Sequence, residues 1–350
     1  IEALGRIVPF PEKFGSYGKL MSRRGFGGTI FIRAEDVINI ENIKIRNLHT
    51  IAVERLALLG LSGDEAAVVG TMSISDRRGM TSELRQAYAR SGASHILAVS
   101  GLHVGIIFML VNLLIIWIVY IWRGHIVKAW AVIIPIWIYA ALCGFSPSVV
   151  RAAIMFTAMQ IAIVTDSRYI SLNILAFTAF IMLIYKPDYL FDTSFQLSFI
   201  AVVAILIWGL PIMRPLRSKR LWVDALSTTA VVGIVSSIAT MPLVAYTFGT
   251  VSTVGFLLNP IVILFAYAIV ILAVIWIAIP IPSLAGIFGT LLSALSSGLN
   301  YIIEGVASWK WAAVELSIPE WAVWTIYAVA IAITILLNNI KPKKTVNLPL

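Results

Sequence analysis

Two serines and two histidines fall within one short stretch, Ser94-His95-Ile-Leu-Ala-Val-Ser100-Gly101-Leu102-His103. Ser100 and His103 are three apart, so on a helix they would share a face and offer the nucleophile and base of a hydrolase. No acidic residue follows to orient the histidine. The competing reading is helix packing: Gly101 and Gly105 form a G-x-x-x-G pair that admits a close neighbour, with Ser100 and His103 bonding across the contact and lining a polar path. A metal site needs three or more convergent ligands. The remaining histidines, His49 and His125, are distant in sequence, and the one cysteine, Cys143, lies in an apolar run. No metal or other cofactor is expected.

Further polar groups interrupt long apolar stretches. Pro147-Ser148-Val149-Val150-Arg151 places an arginine about one turn inside a candidate span, where it can contact phosphate or extend its head to the interface. Asp192-Thr-Ser194-Phe195-Gln196 offers an acidic helix cap and a neutral polar side chain. Asn259-Pro260 is expected to break a span and expose backbone groups that are tolerated only in protein or beside water. Arg214, Arg217, Lys219 and Arg220 form a basic loop able to meet a polyanion, although membrane topology alone would produce it.

The elements that must position these groups are membrane helices. The chain has 350 residues, 60% hydrophobic and 12% charged, with a mean hydropathy of +0.94, outside the range of a water-soluble domain. Residues 1–94 carry 13 Lys/Arg and 10 Asp/Glu and read as a water-facing part. The uncharged run Ala225–Ile303 is too long for one span and must fold back, with breaks suggested at Phe248-Gly249 and Pro280-Ile281-Pro282. About nine spans are predicted: 95–121, 127–144, 147–165, 170–185, 194–213, 226–248, 253–279, 283–303 and 321–339.

Placing residues 1–94 outside puts Arg123, Lys128, Arg168, the 214–220 loop and Lys341, Lys343 and Lys344 on the cytoplasmic side, as short-loop charge bias requires. The predicted divisions are a partial β domain over 1–45, extracytoplasmic amphipathic helices over 46–94, a transmembrane domain over 95–340 and a basic cytoplasmic tail over 341–350. Within these, Gly28–Arg33 reads as a strand, Ser62-Gly-Asp-Glu65 as a capping box, and Thr81–Ser91 as an amphipathic helix running into the first span. Glu304–Glu320, with Trp309 and Trp311, reads as an interfacial helix. The chain opens on Ile1 and reads as a cut through a longer parent. Phe10, Phe14, Tyr17, Phe26 and Phe31 alternate with Lys13, Lys19, Arg23 and Arg24, as a base-stacking platform with phosphate contacts would, or as a barrel core would.

Four ordered stretches resemble the ComEC-type competence-protein family of inner-membrane DNA-uptake channels. They are Ser91 to Val104, Gly144 to Ala152, Phe191 to Phe199, and Ala239 to Gly249 followed by Leu258-Asn259-Pro260. The resemblance covers about 60–340, and residues 15–36 resemble the end of the family's OB-like outer domain. It implies import of single-stranded DNA across a bacterial inner membrane during natural transformation, with a periplasmic DNA-delivery protein and cytoplasmic helicase or single-strand-binding proteins as partners. It does not imply nuclease activity for this chain, because the metallo-β-lactamase-like metal motif of many members is not in it. The helices supply neutral polar groups such as Ser236, Thr240, Ser293 and Asn300, which let a polyanion pass without trapping it. No nucleotide-binding loop of the Gly-x-x-x-x-Gly-Lys form is encoded, so a separate motor is expected. A homodimer through the Gly101/Gly105 face, a secondary transporter of a small anion and an intramembrane serine hydrolase stand as further readings.

Overall fold

The computed structural model describes the backbone of residues 2–3, 6–9, 28–31, 37–39, 47–97, 99–117, 124–165 and 171–340. It describes side chains over the same ranges between residues 47 and 336, except those of Leu221 and Trp222. At the N-terminal end, β1 (Glu2–Ala3) pairs antiparallel with β4 (Val37–Asn39), and β2 (Arg6–Pro9) with β3 (Gly28–Phe31). The strand expected at Gly28 is β3. Pro9, which has no N–H to give, falls at the end of its ladder opposite Gly28. The barrel expected there lies mostly outside the described residues.

Three short helices follow: α1 (Leu48–Ala57), α2 (Gly63–Ile74) and α3 (Ser82–Ser91). Asn47 caps α1 by accepting from Thr50 N at 2.8 Å, and Thr81 caps α3 by accepting from Leu84 N at 3.2 Å. The capping box expected at Ser62 is not formed. The Ser62 hydroxyl makes no cap bond, and Glu65 turns away to accept from the Ser297 hydroxyl of a later helix. The continuous passage expected from α3 into the first span is also absent. Gly92 ends α3 in the left-handed region at φ +83°, and a Cβ there would lie 2.7 Å from Gly255 Cα. Only glycine suits both the turn and that approach. One helical turn, α4 (Ser94–Leu97), then precedes α5 (Gly101–Leu114), so the first apolar helix begins later than residue 95.

Among the described residues six helices are long and apolar enough to cross a membrane: α6 (Gly124–Leu142), α7 (Pro147–Val164), α9 (Thr193–Leu216), α10 (Leu221–Phe248), α11 (Gly255–Ala278) and α12 (Ala285–Ala307). Two shorter apolar helices, α5 and α8 (Ser171–Tyr185), and α13 (Glu320–Ile340), whose side chains are described to Leu336, coincide with the other expected spans. The protein is thus mostly helical and polytopic by composition. In α9 the turn Ile205–Gly209 is a π-helix, which lets the helix continue past Pro211 despite the hydrogen bond that residue cannot make.

The fold-backs expected at Gly249 and Pro280–Pro282 are present, but Asn259-Pro260 does not break α11, which runs on to Ala278. Pro260 is only the sixth residue of the helix and costs one bond, while Leu258, Val262, Ala266, Ile269 and Val270 are buried along the same helix. The interfacial helix expected after Glu304 is corrected too. Helix α12 stops at Ala307, and β6 (Ala313–Glu315) pairs antiparallel with β5 (Thr250–Ser252), joining the C-terminal end of α10 to the N-terminal end of α13.

The largest buried cluster combines helices far apart in sequence. Val68, Val69 and Met72 of α2 and Leu84 and Tyr88 of α3 pack with Val262, Ala266, Val270 and Trp276 of α11 and Leu292, Leu299 and Ile303 of α12. A second cluster joins α5, α6 and α7 through Val104, Ile107, Val132, Ile136, Tyr139, Val149 and Ala153.

Candidate functional site

Ser100 is not on the helix face of His103. It precedes α5 in extended conformation (φ −117°, ψ 177°) and caps it: the Ser100 hydroxyl accepts from Leu102 N at 3.3 Å, and His103 Nδ1 accepts from Ser100 N at 3.1 Å. The Ser100 hydroxyl also lies 3.1 Å from Nδ1. Because Nδ1 accepts from the backbone, neutral His103 carries its proton on Nε2, which is buried without a partner among the described residues. The pair is a reciprocal N-terminal cap with histidine in the place usually taken by glutamate or glutamine. In this arrangement the lone pair a catalytic base would need is already engaged. His95 donates from Nδ1 to Gly92 O at 3.1 Å. Among the described residues no three His, Cys, Asp or Glu side chains come together as metal ligands.

The Gly101/Gly105 face is occupied within the chain. A Cβ at Gly101 would meet Ala152 at 3.7 Å, and one at Gly105 would meet Phe156 at 3.8 Å, both on α7. That contact is of ordinary van der Waals closeness, so the face expected to carry a homodimer instead packs α5 on α7.

Arg151 stands on the second turn of α7. It is 3% exposed, its guanidinium lies 5.6 Å from the centroid of the Phe199 ring on α9, and its Nη1 has no hydrogen-bond partner among the described residues. Ser146, which precedes α7, also has a buried hydroxyl without a partner. A buried guanidinium with no carboxylate is costly unless an anion or water reaches it. Asp192 and Gln196 act locally: Asp192 Oδ1 accepts from Ser194 N at 2.9 Å and Phe195 N at 3.2 Å, capping α9, and Gln196 Nε2 donates to Leu190 O at 2.9 Å. Asn259 is buried on α11 beside Gly233, with Oδ1 unpartnered among the described residues.

The basic loop is as exposed as expected. Arg214, Arg217, Lys219 and Arg220 all face out, with Arg217 only 4.0 Å from Asp224. Lys13, Lys19, Arg23 and Arg24, expected to contact DNA, lie outside the described residues. Several neutral groups expected to line a path bond instead to their own helices: Ser236 to Gly233 O, Thr240 to Ser236 O and Ser296 to Leu292 O. Asn300 accepts from the Tyr88 hydroxyl at 2.9 Å inside the α3–α12 contact.

A cavity of about 440 Å³ opens beside α2, lined by that helix and the segments flanking it through Ser62, Asp64, Gly70, Asp76 and Thr81 among others. Its carboxylates make it unsuited to a polyanion. The Arg78 guanidinium hydrogen-bonded to Asp76 holds that carboxyl below its usual range. Sequence reasoning missed the bonds of α1. His49 Nδ1 donates to Leu142 O at 2.7 Å, Arg55 donates to Ile277 O, and Trp276 Nε1 donates to Arg55 O at 2.7 Å. Their acceptors are main-chain carbonyls, which no residue pattern can announce.

Apolar helices in this number and arrangement define a multi-pass membrane protein. The family model described as Competence protein matches residues 72–341, and the chain belongs to that family. It is 29% identical over 254 residues to ComE operon protein 3 of Bacillus subtilis (strain 168), covering 71% of this chain and 31% of that protein. It is 27% identical over 270 residues to an uncharacterized protein of Aquifex aeolicus (strain VF5), covering 75% of this chain and 60% of that one. The chain therefore spans about a third and three fifths of the lengths of these two relatives. No solved structure matches it.

Proposed function

We propose that the protein is the membrane conduit through which single-stranded DNA enters a bacterial cytoplasm during natural transformation. Its nine apolar helices occupy the inner membrane, its N-terminal region forms an OB-like receiving domain outside, and its C-terminal tail is cytoplasmic. Membership of the competence family supports the process. The observation that carries the conduit reading is Arg151, a buried cation near the start of α7 with an open donor and no acidic partner among the described residues. A phosphodiester passing the bundle supplies the missing acceptor, and the exposed 214–220 loop meets the strand on the opposite side. The protein acts without a catalytic step of its own. A periplasmic delivery protein and cytoplasmic helicase or strand-binding proteins supply capture and pull, because an inside-negative potential opposes entry by about 2.3 kcal/mol per charge per 100 mV.

Labelled DNA uptake tests this in a competent host whose channel gene is replaced by the complete gene, wild type or Arg151→Gln. The conduit reading expects wild type to restore cytoplasmic DNA and Arg151→Gln, inserted at equal level, to reduce it at least tenfold. DNA left outside by correctly inserted wild type would overturn it and favour transport of a small anion, for which a buried arginine is equally apt.

A further inference from the structure

Helix α1 fixes the relative depth of two helices that regular alternation would send to opposite faces of the membrane. His49 bonds the last-turn carbonyl of α6 at Leu142, and Arg55, six residues along the same short helix, bonds that of α11 at Ile277. Basic side chains on terminal carbonyls are a common way to finish a helix. Six residues of helix rise about 9 Å, against about 30 Å of hydrocarbon. The ends of α6 and α11 are therefore close in depth. Two further contacts agree. Ala52, Ile74 and Ile277 form one buried cluster on which Leu142 packs, and Cys143 Sγ lies 3.9 Å from Ser73 O at the end of α2.

Charge points the same way. The loop before α6 carries Arg123 and the start of α6 carries Lys128, so the α6–α7 turn faces away from the basic side. The α11–α12 turn, Ile279-Pro280-Ile281-Pro282-Ser283, has no charge at all and exposes Ile279 and Ile281. If α11 and α12 crossed completely, α1–α3, packed along them from Ile277 to Gly255, would also lie at membrane depth. Exposed Glu54, Asp64, Arg77, Arg78, Glu83 and Arg85 would go with them, each at a cost of several kcal/mol near the bilayer centre.

We infer that α11 and α12 form an oblique hairpin held in the outer half of the membrane, with α1–α3 covering its water side. Both ends of the hairpin then lie near the outer face, the charged residues of α1–α3 stay in water, and seven of the nine apolar helices cross. This rests on the orientation proposed above and revises how two of its helices are placed. An entering strand passes beside α11 and α12 rather than along them from face to face.

The test is thiol labelling in intact cells and inverted vesicles with a membrane-impermeant maleimide, using the full chain with Cys143→Ala. Ser283→Cys reports the hairpin turn, Ser308→Cys the ribbon end and Ser218→Cys the basic loop. The inference expects Ser218→Cys to label from one side only and Ser308→Cys from the other. It expects Ser283→Cys to label with Ser308→Cys or from neither side. Labelling of Ser283→Cys from the Ser218 side, at the rate of Ser218→Cys, would overturn it. Reversal of both controls would instead overturn the orientation, and none of these readings depends on DNA uptake.

Discussion

Hairpins α6–α7 and α11–α12 look alike in sequence: each is a pair of apolar helices joined by an uncharged turn. Their surroundings differ. In sequence the free ends of α6–α7 are flanked by Arg123, Lys128 and Arg168, whereas those of α11–α12 meet the β5–β6 ribbon, with Lys310 between Glu304 and Glu315. Helices α6 and α7 pack on α5, while α11 and α12 share their core with the charged segment α1–α3. Hydropathy places both pairs in the membrane. What packs on a helix, and where basic residues fall, decides whether it crosses.

The contact between α12 and the chain after α1 gives the sharpest way to break this comparison. A Cβ at Gly289 would lie 2.5 Å from Leu59 O, a main-chain atom that cannot move aside. Gly289→Val should destabilise the fold by about 3 kcal/mol and sharply lower the amount of protein surviving detergent extraction. Gly286→Val, with open space at its Cβ, should leave that amount near wild type; equal loss for both would remove the role given to the contact. Arg55→Met leaves the Ile277 carbonyl without its donor and should cost about 1–3 kcal/mol, detected as faster proteolysis between α1 and α2 in membranes.

Smaller effects separate structural from chemical roles. Tyr88→Phe loses the bond to buried Asn300 and should lower stability by about 1 kcal/mol, read in a thermal aggregation assay. Ser100→Ala removes a helix cap, also worth about 1 kcal/mol. DNA uptake should follow that change in protein level and no more, and complete loss of uptake at normal level would restore a direct role for Ser100.

The smallest effect is one of pH. Asp76 has a lowered pKa when folded because Arg78 bonds it. Its stabilisation is therefore full above the unfolded value near 3.8 and is lost as pH falls through the lower folded value. Asp76→Asn should flatten that acid-side loss in a denaturation series between pH 5 and 2.5, and an unchanged slope would contradict it.

Composition and loop charge make the membrane class, the apolar helices and the fold-backs at Gly249 and Pro280 legible in the sequence. Single-residue chemistry is legible where the partner is local, as at Asp192, whose carboxylate caps the helix it precedes. It misleads where a distant partner, burial or an unforeseen helix boundary intervenes. Glu65 has the spacing of a capping box but bonds Ser297, and Pro260 has the look of a break but sits in a helix held by burial on both flanks. Ser100 and His103 have nucleophile-and-base spacing, yet Ser100 lies outside the helix and the pair closes a cap. The docking of α1 is illegible because backbone carbonyls are the same at every position.

The most direct test of this arrangement is the distance between the two hairpin turns. Spin labels at Phe145→Cys and Ile279→Cys, with Cys143→Ser, can be measured by pulsed dipolar spectroscopy in lipid. Turns at one face predict a separation of about 20 Å or less. A separation beyond about 30 Å, the thickness of the hydrocarbon, would place the turns at opposite faces and contradict the account.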